Sequence, residues 1–465
     1  MNYRNPLERI KRSYDLFSFM IELYKFLDSL VLADLHKAYN RYLNNDDKEE
    51  LSKIDELVDL LQISFVFGFE SWKQSWLNMA ETTEMSLPVY CLCSLVKIDN
   101  IIKALVLDNG KHFVNEGPLC TDNKYFLFLN KSNDFLFSKM LKTQKIFPGR
   151  TTVTYLNDSL NRYFNDFVIL DQSYLNTFQP EVYYYSGMEI NNKNLRIAIV
   201  PFSKTPWFRA NIDKKSSTFS ISYSDYHINI INQTYHKYIM EAEENSANII
   251  IFPELAMNSK TEETIMGFFR DVPKSFTNLR LCFCGSVWDK RNNTSVLMSS
   301  AGTVLARQKK KVPYYPYIQD GVYYREDIIS DKKVILIDIK SFGRIAYCIC
   351  ADINAKEIED IINIMNVDFV FVSSYTKSTE TMINGAKGKA ELSAAATILC
   401  NARAAMDPNN PDKHSLGFCV IPKAQNKKLS YNIASHLIEN GKNKNINIFF
   451  VDLHFDSCKL EESMI

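Results

Sequence analysis

An α/β fold with a mixed sheet, preceded by a mostly α-helical region, is what this sequence predicts. Three observations carry that expectation. From about residue 195 onward, short β-branched runs alternate with stretches of helical periodicity. Several of those runs follow each other directly across turns, so antiparallel pairs must sit beside parallel ones. Before residue 110 the apolar residues recur only at helical spacing.

Residues 13–43 read as one or two helices, with Leu16, Met20, Leu23, Leu27, Leu30 and Val31 on one face and Asn44-Asn45 ending the pattern. A second helix starts at Asp46-Asp47, where Asp46 and Glu49 resemble a capping pair, and buries Leu51, Ile54, Leu57, Leu60 and Leu61. Further helices are expected over 70–80 and 95–107. Trp72 and Trp76, one turn apart, read as core residues. From 124 to 180 the signal weakens into aromatic runs such as Lys124–Leu129, and a mostly helical globular segment is expected there. Tyr183–Gly187 and the polar run Asn191–Asn194 mark a boundary, giving a helical domain over 1–190 and a second domain over 191–465.

In the second domain, strands are expected at Leu195–Val200, Asn248–Phe252 and Leu279–Cys284. A hairpin spans Ser295–Ser299 and Thr303–Arg307 across Ala301-Gly302. Lys333–Lys340 and Arg344–Cys350 form another pair joined at Gly343. A strand at Asp368–Ser373 and late strands at Leu416–Ile421 and Ile446–Leu453 complete the set. Helices are expected near 225–245, 260–272, 355–365 and 388–400.

Composition narrows the function. Of 465 residues, 46% are hydrophobic and 23% charged, and Lys+Arg equals Asp+Glu at 54 each. That balance gives no footing to a nucleic-acid or membrane-surface role. The richest apolar stretch, Leu16 to Leu35, carries Glu22, Lys25, Asp28 and Asp34, which suits an amphipathic helix and not a membrane span. The ten cysteines include three C-x-C pairs, Cys91/Cys93, Cys282/Cys284 and Cys348/Cys350. In strands such pairs share a face and pack without bridging, and the seven scattered histidines offer no zinc spacing. The polar opening Met1–Pro6 does not read as a secretory leader. A reducing, cytoplasmic compartment is expected.

Three residues follow buried strands: Glu254, Lys310 and Cys350. Together they form a chemical set, in which a carboxylate takes a thiol proton, a thiolate attacks a carbonyl or nitrile carbon, and an ammonium stabilises the resulting oxyanion. Ile249-Ile-Ile-Phe-Pro-Glu-Leu255, Gly302-Thr-Val-Leu-Ala-Arg-Gln-Lys-Lys-Lys311 and Gly343-Arg-Ile-Ala-Tyr-Cys-Ile-Cys-Ala-Asp352 resemble, in this order, the three catalytic motifs of the nitrilase superfamily of carbon-nitrogen hydrolases. The resemblance covers about residues 195–455.

This resemblance implies a four-layer α-β-β-α sandwich and a thioester mechanism. Glu254 would be the base, Cys350 the nucleophile, and Lys310 with the backbone N–H of Ala351 the oxyanion hole. A second glutamate holds such sites together; Glu326, ending Val322-Tyr-Tyr-Arg-Glu326, is the candidate and Asp320 the fallback. The implied activity is hydrolysis of a non-peptide carbon-nitrogen bond, amide in preference to nitrile, with no metal or organic cofactor. Homodimers are common in the family, and the Ala-rich Ala386–Met406 segment would supply either a pairing face or a buried helix. The chain departs from the family at Ala351, at Asn354–Glu357 and at Val312. Those changes keep open a second reading, a catalytically altered sensing or scaffold protein in a bacterial defence or signalling system, with the helical region recruiting a protein partner. Tyr314–Tyr317 and Asp407–Asp412 are candidates for pocket loops, and Cys348 reads as packing below Cys350.

Overall fold

The computed structural model describes residues 4–31, 34–35, 39, 48–64, 68–105, 113–116, 118, 120–121, 124–129, 160–164, 166–175, 179–187, 190, 194–202, 206–223, 225–271, 276–315, 317–319, 321–340, 342–393, 395–405, 415–423, 432–439, 447–454 and 459–463. Two large sheets face each other. The first has eight strands in the order Phe113–Glu116, Gln179–Tyr185, Lys333–Ile339, Gly343–Ile349, Phe369–Ser374, Ala396–Asn401, Ser415–Lys423 and Asn432–Glu439. The second has seven, in the order Val304–Lys309, Asn292–Ser299, Leu281–Asp289, Ile249–Ile251, Asn194–Ile199, Phe449–His454 and Lys459–Ser463.

The central strands of the first sheet, Gly343–Ile349, Phe369–Ser374 and Ala396–Asn401, run parallel and are buried throughout. Their near-continuous apolar runs are what a sheet covered on both faces requires. Between the sheets lie Ile197, Ile199, Ile251 and Phe283 from one side and Ile345, Tyr347, Phe369 and Phe371 from the other. Phe283 stacks on Phe371 at 4.0 Å. On the outer face of the first sheet pack helices Lys356–Ile364 and Glu380–Ser393; on that of the second, Asp225–Glu244 and Thr261–Asp271. Ile358, Ile361 and Ile362 of Lys356–Ile364 show the spacing that buries one helical stripe, while Glu357 and Glu359 occupy its first turn. The result is a four-layer α-β-β-α sandwich.

A smaller four-stranded sheet caps the sandwich, in the order Tyr317–Gln319, Val322–Glu326, Thr218–Tyr223 and Phe208–Asp213. It has its own core of Phe219, Ile221 and Tyr324 against Leu255 and Trp288. The hairpin Phe208–Tyr223 has no counterpart among the sequence expectations. Its Phe208–Asp213 strand alternates half-buried and exposed residues, leaving no apolar run to notice.

The amino-terminal helices Arg4–Lys11, Leu16–Asp28, Lys48–Ser64, Phe69–Thr82 and Leu87–Leu105 enclose a separate core in which Phe19 meets Trp72 and Trp76 edge-on. Asp15 caps Leu16–Asp28 by accepting from the Ser18 amide at 2.7 Å, while the Ser18 hydroxyl oxygen accepts from the Asp15 amide. Residues 44–47, with the expected Asp46 cap, lie outside the described residues. Cys91 and Cys93 lie on helix Leu87–Leu105, not on a strand, and are unbridged.

The expectation of a mostly helical 124–180 segment is corrected. Tyr125–Leu129 and Phe167–Asp171 pair as strands, and Gln179–Tyr185 enters the first sheet beside Lys333–Ile339. Aromatic and β-branched side chains favour such two-sided strands. Tyr125, Leu127, Leu129 and Ile169 face the helical core, whereas Phe128, Val168 and Leu170 face the helix layer of the first sheet. The period of two thus bonds the helices to the sandwich. The helix expected at 388–400 is also corrected: the helix is Glu380–Ser393, and Ala396–Asn401 is a buried parallel strand. Three consecutive alanines suggest a helix, yet the following Thr397-Ile398-Leu399 run fits between two strands and tertiary pairing decides. Ala386 and Ala390 pack inward.

Candidate active site

Glu254, Lys310 and Cys350 each stand just beyond a strand of one of the two large sheets, and Glu326 ends a strand of the cap sheet. Strand Ile249–Ile251 ends in Phe252-Pro253-Glu254, and Leu255 then turns with φ 60 while its amide donates to Ser286 Oγ at 2.9 Å. That turn fits because Gly285, at φ 78, has no Cβ; one built there would lie 2.2 Å from the Pro253 carbonyl oxygen. Lys310 follows strand Val304–Lys309, and its amide donates to the Asn293 carbonyl at 2.7 Å. Cys350 ends the strand Gly343–Ile349 in the left-handed region, φ 50, and opens a tight turn over Cys350–Asn354 that includes Ala351. A non-glycine residue there is strained, which is common where a side chain must be aimed.

Asp352 ties the cysteine turn to the lysine segment. Its Oδ1 accepts from the amides of Lys311 at 3.0 Å and Val312 at 2.8 Å. Position 312 therefore contributes through its backbone. Lys311 sends its ammonium away from the site, to the carbonyls of Asp331 and Lys333.

The structure brings Glu254, Lys310, Glu326 and Cys350 together. Lys310 Nζ lies 2.7 Å from Glu254 Oε1 and 2.7 Å from Glu326 Oε2. Glu326 also accepts from the Tyr314 amide at 2.7 Å. Glu326, the candidate supporting carboxylate, is supplied by the cap sheet and reaches Lys310; the fallback Asp320 lies outside the described residues, as do 407–412. Asn293 was not legible as a site residue. Its Nδ2 donates to Glu254 Oε1 at 2.8 Å and to Glu326 Oε1 at 3.2 Å, bridging the two carboxylates. An asparagine within Asn292-Asn293-Thr294 looks like turn chemistry, and only the hairpin register places it beside Lys310. Ser374 and Tyr375 were also missed: the Ser374 hydroxyl reaches Cys350 Sγ at 3.5 Å, and the Tyr375 amide donates to Glu254 Oε2 at 3.0 Å.

Electrostatics assign the resting protons. Burial pushes the Cys350 thiol up to about 12, and the nearby Glu254 adds to this, against the pull of Lys310, Ser374 and the Tyr375 amide. At neutral pH Cys350 is a thiol that needs a base. Burial also raises Glu254 above the ordinary glutamate value; Lys310 and Asn293 oppose the rise and Glu326 adds to it. Burial alone would lower Lys310, but the facing Glu254, Glu326 and Cys350 hold it well above an ordinary lysine. A raised carboxylate is a stronger base, and a lysine held charged is a permanent oxyanion partner. Cys348, also buried and pushed up to about 12, packs in the core on the helix side of the sheet.

Several solved structures are similar to this chain. The Nesterenkonia AN1 amidase from the nitrilase superfamily matches at 13% identity over 55% of this chain and 94% of that one, with TM-score 0.35. Saccharomyces cerevisiae Nit3, of branch 10 of the nitrilase superfamily, matches at 12% identity over 55% and 94%, with TM-score 0.32. The glutamine-dependent NAD+ synthetase from Acinetobacter baumannii matches at 13% identity over 59% of this chain, with TM-score 0.36, and this chain spans 48% of its length. No protein-family model and no curated protein matches the sequence. Among the described residues no helix is long and apolar enough to cross a membrane.

Proposed function

We propose that the protein hydrolyses a non-peptide carbon-nitrogen bond, an amide in preference to a nitrile, through Glu254, Lys310 and Cys350. The observation that carries this reading is the Lys310 ammonium held at 2.7 Å by both Glu254 and Glu326 beside the Cys350 strand end. Glu254 takes the Sγ proton as the sulfur attacks the carbonyl carbon. The oxyanion is met by Lys310 Nζ and the Ala351 N–H. Glu254 then gives the proton to the departing nitrogen, leaving a Cys350 thioester. Water, deprotonated by Glu254, attacks the thioester, and the carboxylic acid leaves as the thiol reforms. The tetrahedral intermediate of an amide carries its charge on oxygen, where the Lys310 ammonium and the Ala351 N–H would meet it.

The near-complete burial of Cys350, at 2% exposure, favours a second reading: a protein that keeps the fold and lacks turnover. Release of amine or ammonia from a panel of small amides separates the two. Turnover by the wild type that disappears in Cys350→Ser, with a thioester seen by intact mass, supports hydrolysis. A Cys350→Ser variant as active as the wild type would reject it.

A further inference from the structure

Beside Glu254, outside the triad, lies a small pocket walled by Phe202, Trp207, Phe208, Leu255 and Tyr375. Glu254 is the one charged side chain among its described lining residues. The aromatic wall is held in place. Phe202 adopts φ 67, a conformation a non-glycine residue takes at a cost, and its ring meets Trp207 at 4.2 Å and Phe252 at 5.8 Å. Phe208, from the cap sheet, meets Tyr375 at 5.0 Å. The Tyr375 hydroxyl donates to the Ala404 carbonyl, while its amide holds Glu254 Oε2. The same residue therefore walls the pocket and positions the base.

We infer that this pocket selects a substrate whose substituent beside the scissile bond is small, apolar and not anionic; this rests on the hydrolase reading. A carboxylate placed here would lose its water and meet Glu254 with no cation in the described lining. An anion set beside Glu254 would have no partner there, which is strongly unfavourable. A small alkyl group gains from the same walls.

Two chloroacetyl reagents of similar size test this on the full chain: N-propylchloroacetamide, uncharged, and chloroacetylglycine, bearing a carboxylate. In each, the Cys350 sulfur bonds to the methylene carbon as chloride leaves, and the thiol proton passes to Glu254. Rates at the Cys350 peptide are followed by mass spectrometry and normalised to glutathione. The uncharged reagent is expected to react at least about tenfold faster. Phe208→Lys, which brings a cation to the wall, should narrow the gap, and Trp207→Ala should slow the uncharged reagent. Equal normalised rates in the wild type, or a gap unmoved by both substitutions, would overturn the pocket assignment while leaving the hydrolase reading intact. Labelling of Cys350 by neither reagent faster than of Cys419 would instead bring down the hydrolase reading, and the pocket with it.

Discussion

Lys310 is the residue on which the site's charges balance. Two buried carboxylates share its ammonium, so Lys310→Met leaves Glu254 and Glu326 facing each other across a dry gap. As loss of the proposed oxyanion donor, it should lower kcat by about 10²–10³-fold. Removing one partner of such a buried group should also cost about 3–5 kcal/mol in denaturant unfolding. Asn293 acts through the carboxylates it bridges and is a positioning residue. Because its hydrogen bond lowers Glu254 against the rise caused by burial, Asn293→Leu should raise Glu254 further. The base works deprotonated, so the acid limb of the kcat profile should move to higher pH, with the loss of activity largest on the acid side. A purely structural role would lower activity evenly across pH. Asp352 gives a stability signature. Burial raises it to about 6 from an ordinary 3.8, so its protonated form is favoured in the folded state. Its contribution is fully present below pH 3.8 and is lost as pH rises to about 6. Asp352→Asn keeps an oxygen for the Lys311 and Val312 amides and should flatten the stability profile over that window, measured by chemical unfolding at stepped pH.

At the scale of elements, the strand ends aim the chemistry and the glycines permit the aim. Gly285→Ala forces a Cβ against the Pro253 carbonyl at a φ that disfavours alanine, so it should lower the melting temperature and displace Glu254. Thermal unfolding together with kcat checks both effects. The strands leading to Glu254 and Cys350 were legible because they are buried on both faces and read as apolar runs, and the strand before Lys310 was legible as one arm of the hairpin across Ala301-Gly302. Glu326 was legible as the end of the alternating run Val322–Glu326. The hairpin Phe208–Tyr223 was not, because its outer face is solvated, and Ala396–Asn401 was not, because alanine's local preference differs from the place the sheet gives it. Asn293, Ser374 and Tyr375 could not be read, since each acts through a partner distant in sequence: Asn293 on Glu254 and Glu326, Ser374 on Cys350, Tyr375 on Glu254.

Across the whole molecule, the sandwich extends into the amino-terminal part of the chain. Phe113–Glu116 and Gln179–Tyr185 supply one edge of the sheet that carries Cys350. Arg344, fully buried on the strand leading to Cys350, pairs with Asp338 at 2.6 Å and donates to the carbonyls of Met365 and Leu129. Asn366 adds a bond to the Phe164 carbonyl at 3.1 Å. A chain cut to residues 191–465 would expose strand Lys333–Ile339 and leave part of the Arg344 guanidinium unpaired. It should be recovered aggregated or with a non-cooperative unfolding transition, whereas a cooperative, active fragment would contradict this coupling.

The central claim is that Glu254, Lys310 and Cys350 work as one unit, and the alkylation rate of Cys350 by iodoacetamide as a function of pH tests it most directly. Labelling at Cys350 is expected to be faster than at Cys348 or Cys419, rising through the raised Glu254 titration and falling to the level of those cysteines in Glu254→Gln. A Cys350 rate equal to theirs, unchanged in Glu254→Gln, would contradict it.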